Sequence, residues 1–412
     1  MKQIKINYLN KFLIYLTLLI PISLVTGPFI PDLFLSIIAI LYLYILFVRK
    51  EIEILFEKKN LIFIFFCIYL TVISFFSVDF FSSILPSLFY IRFGLFTLAI
   101  VYLLKEYPNF ENLFAKYLLI TILFVSVDAY IQIIFGFNIF GMKNIVPDRV
   151  SGLFGDEYIL GSYLVRLLPL LLALLINKVT FNLLNKILFI IGIVLFNVLI
   201  YFIAERTAFA LNIIFFVLFT LIIKKTRFLM IITLVISSLG FFVAGNLSKS
   251  TQERMINQTI NEVFKDNKIN IFTEGHENHM KTAIKIFKDN IVIGSGIKSF
   301  RILCRDKRYY ETITSCSTHP HNTYAQLLSE TGFIGFVLIL GIFLIICKNI
   351  ILYFARSFYR KNDYVSDQVK ILSILIFINL FPFVPTGSFF NNWMSIIYFL
   401  PLGFFLKNNK FV

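Results

Sequence analysis

The sequence predicts an all-α membrane protein of about 12 transmembrane helices with one large loop on the outer side. Three observations predict this class: 58% of the 412 residues are hydrophobic, only 15% are charged, and apolar stretches recur along the chain. A soluble globular chain carries roughly 25% charged residues, and a membrane-spanning helix takes about 20 apolar residues. The composition therefore excludes a soluble domain, a disordered chain, a collagen and a disulfide-dense mini-protein.

Twelve apolar stretches are the candidate spans. They are residues 12–30, 33–48, 61–77, 84–104, 117–136, 159–177, 187–203, 207–223, 228–245, 332–347, 370–386 and 392–406. The first stretch contains Pro21, Gly27 and Pro28, and the sixth contains Arg166 and Pro169. A helix bundle tolerates such residues where neighbouring helices satisfy the freed backbone groups, so both stretches are retained as spans.

The formal net charge of +15 is unusual for so apolar a chain. Nucleic-acid binding is a poor explanation, because little of the chain faces water. If the N-terminus is cytoplasmic, the inner segments hold 21 Lys and Arg residues and the short outer loops hold three. Because basic residues concentrate in cytoplasmic loops, this asymmetry predicts a multi-pass membrane protein with both termini in the cytoplasm.

The spans divide the chain into three parts. Residues 1–245 hold transmembrane helices 1–9, residues 246–331 form a large periplasmic loop, and residues 332–412 hold helices 10–12. Inside the loop, apolar residues at helical spacing predict an amphipathic helix, with Met280, Ala283, Ile284 and Phe287 on one face. Its lysine face is either solvated, with the helix lying on the membrane or the bundle, or it binds an anionic lipid headgroup.

The four cysteines fall into two pairs. Cys67 and Cys347 lie in spans, where cysteine usually packs as a small apolar side chain. Cys304 and Cys316 lie in the loop, and an oxidising compartment favours a disulfide between them. Two buried free thiols are the first alternative. A zinc site with His319 and His321 is the second, but neither a Cys-x-x-Cys pair nor His-x₃-His spacing is present.

All four histidines, His276, His279, His319 and His321, lie in the same loop. His319 and His321 stand just before the tenth span, at the predicted mouth of the bundle. Histidine is the side chain whose ordinary pKa suits proton transfer near neutral pH. A histidine that caps the start of a helix at the interface is the structural alternative.

Arginines at the predicted outer ends of spans are the second polar signal. Arg149 lies in a short outer loop, Arg166 in the outer half of the sixth span, and Arg206 in the turn after the seventh. A guanidinium group matches phosphate oxygens with two parallel hydrogen bonds. The structural alternatives are snorkelling and local pairing, for example Glu205 with Arg206. These residues predict a phosphate-bearing lipid substrate without a bound metal or other cofactor.

Two further charges in the spans, Arg92 and Asp128, are interpreted as structural, and they could form an ion pair with each other.

One motif resembles the signature of the O-antigen ligase and polymerase family of bacterial inner-membrane glycosyltransferases. That signature is His-[Asn/Ser/Gln]-x₉-Gly-x-x-[Gly/Thr/Tyr], and here it reads His321-Asn322, nine residues, then Gly332-Phe333-Ile334-Gly335. It stands at the end of the large loop, as in the family. Arg206 matches the family's arginine after the seventh span, and the segment from Arg149 to Phe154 resembles the family's outer-loop segment before the sixth.

The resemblance implies a GT-C-like bundle and a reaction. A glycan moves from undecaprenyl diphosphate to an acceptor hydroxyl at the periplasmic face, without metal or nucleotide. His321 would take the proton of the acceptor, and Arg206 would bind the diphosphate and stabilise the leaving group. The partners implied are the lipid-linked donor, a lipid A–core or glycan acceptor and membrane lipids, with no nucleic acid. The residues predicted to bind substrate are Arg149, His276, His319, Asn322 and Arg301.

One position departs from the family. Many members carry a second arginine in the loop, shortly before an amphipathic helix, and His276 stands about there in this chain. His276, Arg254 or Arg301 would have to take its place.

Three functions are compatible with these features. The first is an O-antigen ligase, whose acceptor is the lipid A–core. The second is an O-antigen or exopolysaccharide polymerase with the same donor. The third is a lipid-linked glycan flippase or transporter, which would line a central cavity with charge at mid-membrane depth. Only Arg92, Asp128 and Arg166 are available for that purpose, which disfavours the third.

Overall fold

The fold is helical throughout the part of the chain that the structure describes. The computed structural model describes residues 2–146, 149–178, 182–265, 268–310, 312–359 and 364–408. Within these ranges the elements are helices, and an isolated bridge joins Phe137 to Lys143. The predicted all-α class is confirmed.

Ten α-helices precede the large loop in the part of the chain that the structure describes. They are α1 Lys2–Ser23, α2 Phe29–Arg49, α3 Lys58–Ser74, α4 Phe80–Leu88, α5 Ile91–Glu106, α6 Phe110–Phe135, α7 Leu160–Leu175, α8 Leu183–Ile203, α9 Arg206–Ile222 and α10 Arg227–Leu247. α4 and α5 follow each other almost without interruption and form one bent crossing. The short turn between α8 and α9 places Glu205 and Arg206 at an end of the bundle.

The loop holds four helices and the chain ends with three more. They are α11 Lys249–Gln252, α12 Gln258–Val263, α13 Glu274–Asp289, α14 Phe300–Leu303, α15 Thr323–Phe358, α16 Asp367–Asn379 and α17 Asn392–Asn408. A short π-helical turn, Glu253–Asn257, joins α11 to α12. α7, α16 and α17 pack into the centre of the bundle, where most of their side chains are buried.

Six helical segments among the described residues are long and apolar enough to cross a membrane. They are Phe29–Arg49, Phe80–Glu106, Phe110–Phe135, Leu183–Ile203, Lys224–Leu247 and Thr323–Phe358. Three shorter apolar helices accompany them: Asn60–Ser74, Leu160–Leu175 and Arg206–Ile222. The chain is therefore a membrane protein, while the number of twelve spans and the orientation stay predictions. Residues 1 and 409–412, at the two chain ends, lie outside the described residues.

The outer surface of these helices is apolar. Large side chains such as Ile40, Phe81 and Phe242 are between 66% and 77% exposed. In water, a contiguous apolar surface of this kind is a liability, whereas in a bilayer it faces lipid tails. The pattern of exposure thus agrees with the composition.

The eleventh predicted span is shorter than expected. It was predicted over 370–386, but α16 ends at Asn379, and residues 380–391 run in an irregular path before α17 begins. Pro382 and Pro385 lack the backbone N–H that a helix needs, which explains the early end.

The tenth span is continuous with the end of the loop, and α15 is kinked at Gly332, whose φ of 63° is left-handed. The backbone groups freed by the kink pair with the segment that precedes α14. The N–H of Phe333 donates to the carbonyl of Ile291 over 2.8 Å, and the N–H of Gly296 donates to that of Glu330 over 2.9 Å. The loop and the bundle are thereby joined through the backbone.

Glycine at position 332 is required by both conformation and space. A Cβ there would lie 2.4 Å from the carbonyl oxygen of Val292 and 2.5 Å from the nitrogen of Gly294. Gly332→Ala is therefore expected to lower the free energy of unfolding by at least about 2 kcal/mol. The matched control is Gly341→Ala in the same helix, where a Cβ meets no atom within 4 Å. That substitution should be neutral or stabilise by up to about 1 kcal/mol.

Denaturation of the purified protein in detergent measures the difference between the two variants. Equal midpoints for Gly332→Ala and Gly341→Ala would contradict the packing described here.

The predicted ion pair between Arg92 and Asp128 is wrong. Arg92 instead pairs with Asp32 on α2, with 2.7 Å between Nη2 and Oδ1. Asp128 accepts a hydrogen bond of 2.9 Å from the backbone N–H of Ile139. Both charges therefore have structural partners, which agrees with their structural interpretation. Arg92 and Asp32 lie on helices that are distant in sequence, and the order of the spans does not show which helices are neighbours.

The amphipathic helix of the loop is present as α13, and its buried face is rotated from the predicted one. Ala283 and Ile286 pack with Phe300 and Leu303, whereas Ile284 is 44% exposed. The lysines face outward, and Lys281 pairs with Glu277 one turn away, at 2.8 Å. This arrangement agrees with a helix that lies on the protein and has a solvated basic face.

Candidate active site

A large cavity opens at the end of the bundle that carries the loop. Its volume is about 1310 Å³. Its walls come from the turns after α1 and α8, the segment before α7, the loop, and the irregular segment before α17. Five parts of the chain that are distant in sequence therefore meet there, and the predicted residues that line the cavity are Arg149, Arg206, His276, Arg301, His319 and His321.

The start of α15 positions His321. The His321 backbone is left-handed, with φ of 52°, and Asn322 is the N-cap of the helix. The side-chain oxygen of Asn322 accepts hydrogen bonds of 3.0 Å from the N–H groups of Tyr324 and Ala325, and its amide donates to the carbonyl of Pro382 over 2.8 Å. Both ends of this side chain are used within the protein. The structure thus gives Asn322 a structural role, and its binding of substrate stays a prediction.

The irregular segment 380–391 is fixed to the signature residues. The N–H of Thr386 donates to the carbonyl of His321 over 2.9 Å. Gln326, one turn into α15, accepts from the N–H of Phe389 and donates to the Ser388 hydroxyl, each over 2.9 Å. This segment thus forms a rigid wall beside His321, although residue types alone gave no signal of it.

The four histidines form one cluster. The ring centroids of His319, His279 and His276 lie 4.1, 5.2 and 5.3 Å from that of His321. His319 Nε2 is 3.2 Å from the carbonyl oxygen of Thr386 and therefore carries a hydrogen. His321 Nε2 is 3.1 Å from the Ser317 hydroxyl. In the tautomer whose Nε2 donates to this hydroxyl, the lone pair of Nδ1 would be left for a substrate proton.

The cluster keeps its imidazoles neutral. Burial, followed by the neighbouring histidines, lowers the pKa of His321 to about 3. Burial also lowers the pKa of His319 to about 4, although the hydrogen bond with Thr386 opposes the change. The pKa values of His276 and His279 are lowered for the same first reason. His321 is thus an unprotonated base at neutral pH.

This shift predicts the pH dependence of any reaction in which His321 is the base. A histidine with an ordinary pKa of about 6.5 loses its free-base form tenfold per pH unit below that value. Because the pKa of His321 is lowered, the free base persists as the pH falls. We expect kcat/KM, which reports the free enzyme, to show no acidic limb with a midpoint near 6.5 between pH 7 and 5. A tenfold loss per unit below pH 6.5 would contradict the shift.

Arg206 is held by the loop. Its Nη1 is 2.5 Å from the Glu262 carboxylate, its Nη2 donates to the Gln258 side chain over 3.1 Å, and its Nε donates to the carbonyl of Arg254 over 3.2 Å. The partner is thus Glu262, and the pairing of Arg206 with Glu205 considered above is wrong. Arg254 donates in turn to the carbonyl of Ala204 over 3.0 Å. These contacts fasten the loop to the turn after α8.

The Glu205 carboxylate contacts α7 and is not paired with Arg206. It accepts a 3.0 Å hydrogen bond from the N–H of Ser162 and lies near Arg166 and Arg149. Burial raises the pKa of Glu205 to about 7, although that hydrogen bond and the two guanidinium groups oppose the rise. Glu205 is therefore only partly ionised at neutral pH, which leaves this part of the cavity positive.

A further cation, Lys298, was missed by sequence reasoning. It lines the cavity beside Arg301, and its backbone is left-handed, with φ of 64°. Burial and then the charge of Arg301 lower the pKa of Lys298. Arg301 and His276 lie in the same cavity as Arg254, so all three residues that could replace the family's second arginine are present there. Nothing in the spacing of Lys298 marked it beforehand.

No metal centre is found among the described residues: no group of three or more His, Cys, Asp and Glu side chains is arranged to hold an ion. Cys304 and Cys316 are instead joined by a disulfide, with their Cα atoms 5.0 Å apart. Cys304 is buried with Phe300 and Tyr309 beneath α13. The disulfide ties α14 to the segment that leads into His319 and His321.

Comparison with known proteins gives one family. Residues 188–340 match a family model described as O-antigen ligase. The matched segment runs from α8 past the kink of α15, so it contains Arg206, the loop and the His321-Asn322 signature. No curated protein matches the chain significantly.

Proposed function

We propose that this protein, whose residues 188–340 match a family model described as O-antigen ligase, is a glycosyltransferase that moves a glycan from undecaprenyl diphosphate to an acceptor hydroxyl. The acceptor is the lipid A–core, and the site faces the periplasm from the inner membrane. One observation supports this most: His321 and Arg206, which are 115 positions apart in the sequence, line the same cavity. The cavity lies at the end of an apolar bundle, where a lipid-linked substrate can reach it.

The transfer needs one bond to form and one to break. The acceptor oxygen attacks the anomeric carbon of the donor sugar, and the bond from that carbon to the diphosphate oxygen breaks. His321 Nδ1 takes the acceptor's proton as the new bond forms. The leaving diphosphate keeps the electron pair, and its negative charge develops next to Arg206.

The charge distribution supports this assignment. The cations that line the cavity are Arg149, Arg166, Arg206, Arg254, Lys298 and Arg301, whereas the lining carboxylates are Glu157, Glu205 and Glu262. Fixed cations that face a developing anion lower the barrier, because they need not reorganise during the reaction. No step in this scheme uses a metal, so transfer should persist in EDTA.

Reconstitution with defined substrates tests the proposal. The full-length protein in nanodiscs receives undecaprenyl-diphosphate glycan together with either lipid A–core or a second lipid-linked glycan. Transfer to lipid A–core supports a ligase. Growth of the lipid-linked glycan alone would replace the ligase by a polymerase with the same chemistry. No product with either acceptor, combined with movement of the intact lipid between leaflets of a vesicle, would refute transfer and indicate a flippase.

A further inference from the structure

Arg166 is a buried guanidinium group at the wall of the cavity. It lies on α7, only 2% exposed, and it lines the cavity together with Ser162 one turn earlier. Its Nη1 donates to the carbonyl and the hydroxyl of Ser162. Its Nε is buried and has no hydrogen-bond partner. Among the described residues, no carboxylate forms an ion pair with Arg166; the nearby Glu205 instead accepts from the Ser162 N–H.

A second guanidinium group in the same part of the cavity is also incompletely satisfied. Arg149 stacks on the ring of Tyr158 at 4.2 Å and donates from Nη2 to the carbonyl of that residue over 3.3 Å. Its Nε is likewise buried without a partner. Arg149 and Arg166 line the same cavity, and both favour the ionised form of the Glu205 carboxylate.

The unpartnered nitrogen of each guanidinium group needs an explanation, because native proteins pair nearly all of their buried polar atoms. Arg166 and Arg149 each have one such nitrogen, Nε, and both side chains line the same cavity. An anion bound in the cavity could supply the acceptor that these nitrogens lack. Arg206 differs from them, because its Nε and both of its terminal nitrogens already bond to the loop.

We propose that Arg166 and Arg149 form a second anion subsite in the cavity, which binds a phosphate group of a substrate. Guanidinium groups match phosphate oxygens in charge and in hydrogen-bond geometry. The subsite rests on the proposed function, and the same chemistry allows two sources: the diphosphate of the donor, or a phosphate carried by the acceptor glycan. Arg206 and this subsite would then hold anionic groups at two places in the cavity.

Direct binding tests the subsite without any turnover. The full-length protein in detergent is titrated with inorganic pyrophosphate and with farnesyl diphosphate. Arg166→Met should raise the Kd for both probes at least tenfold, and Arg166→Lys should give a smaller increase, because lysine keeps the charge and loses the fork. The matched control is Arg227→Met. That guanidinium donates to the carbonyls of Thr220 and Leu221, away from the cavity. An unchanged Kd in Arg166→Met would overturn the subsite.

Kinetics identify the source of the phosphate. A higher KM for the lipid-linked donor in Arg166→Met assigns the subsite to the donor diphosphate, and a higher KM for the acceptor alone assigns it to an acceptor phosphate. If Arg166→Met transfers glycan with unchanged KM values for both substrates, the proposal is overturned. Conversely, pyrophosphate binding that depends on Arg166, without any transfer by the wild type, would retain the subsite and refute the proposed function.

Discussion

Replacement of His321 by asparagine is expected to lower kcat for glycan transfer by about 10²–10⁴-fold, the usual contribution of a general base. Asparagine is the appropriate variant because it tolerates the left-handed backbone at this position, whereas alanine would add strain. The asparagine amide cannot take a proton from the acceptor. The KM for the donor should change little, because the phosphate contacts are made by the arginines.

His279→Asn is the matched control for this substitution. Its ring centroid lies 5.2 Å from that of His321, but His279 is not among the described residues that line the cavity. We expect kcat within about threefold of the wild type, since a substituted neighbour costs far less than a lost base. Full transfer by His321→Asn, or equal losses in both variants, would remove the assignment of His321 as the base.

Replacement of Arg206 by methionine is expected to lower kcat by about 10²–10³-fold, the effect of losing one group that stabilises a developing anion. Arg206→Lys should lie between the wild type and Arg206→Met, because lysine supplies a point charge without the two parallel donors. The measurement is single-turnover transfer with saturating donor, which separates the chemical step from binding.

Loss of Arg206 also releases Glu262 and Gln258, so folding must be checked alongside the rate. Arg308→Met is the control for removal of a loop arginine, because Arg308 is 66% exposed and pairs with Asp306 at 2.7 Å. Both variants should keep a thermal midpoint close to that of the wild type. A rate for Arg206→Met within a few fold of that for Arg308→Met would show that Arg206 does not stabilise the leaving group.

The sequence by itself determined the class of the protein and the centre of the candidate site. Apolar composition predicted the membrane helices, since apolar segments of sufficient length are insoluble in water and soluble in lipid. The signature motif predicted His321 as a site residue, and the turn after α8 predicted Arg206. The class of the protein follows from composition, and the centre of the site follows from short segments of sequence. Both kinds of information can be read directly from a single chain.

Only the tertiary structure decided which side chains meet. The pairing of Arg206 with Glu262, the orientation of Glu205 towards Arg166, and the wall formed by residues 380–391 all join segments that are separated in sequence. Residue type and spacing do not specify such contacts, because they depend on how the helices pack. The structural role of Asn322 depends in the same way on a carbonyl 60 residues away, at Pro382.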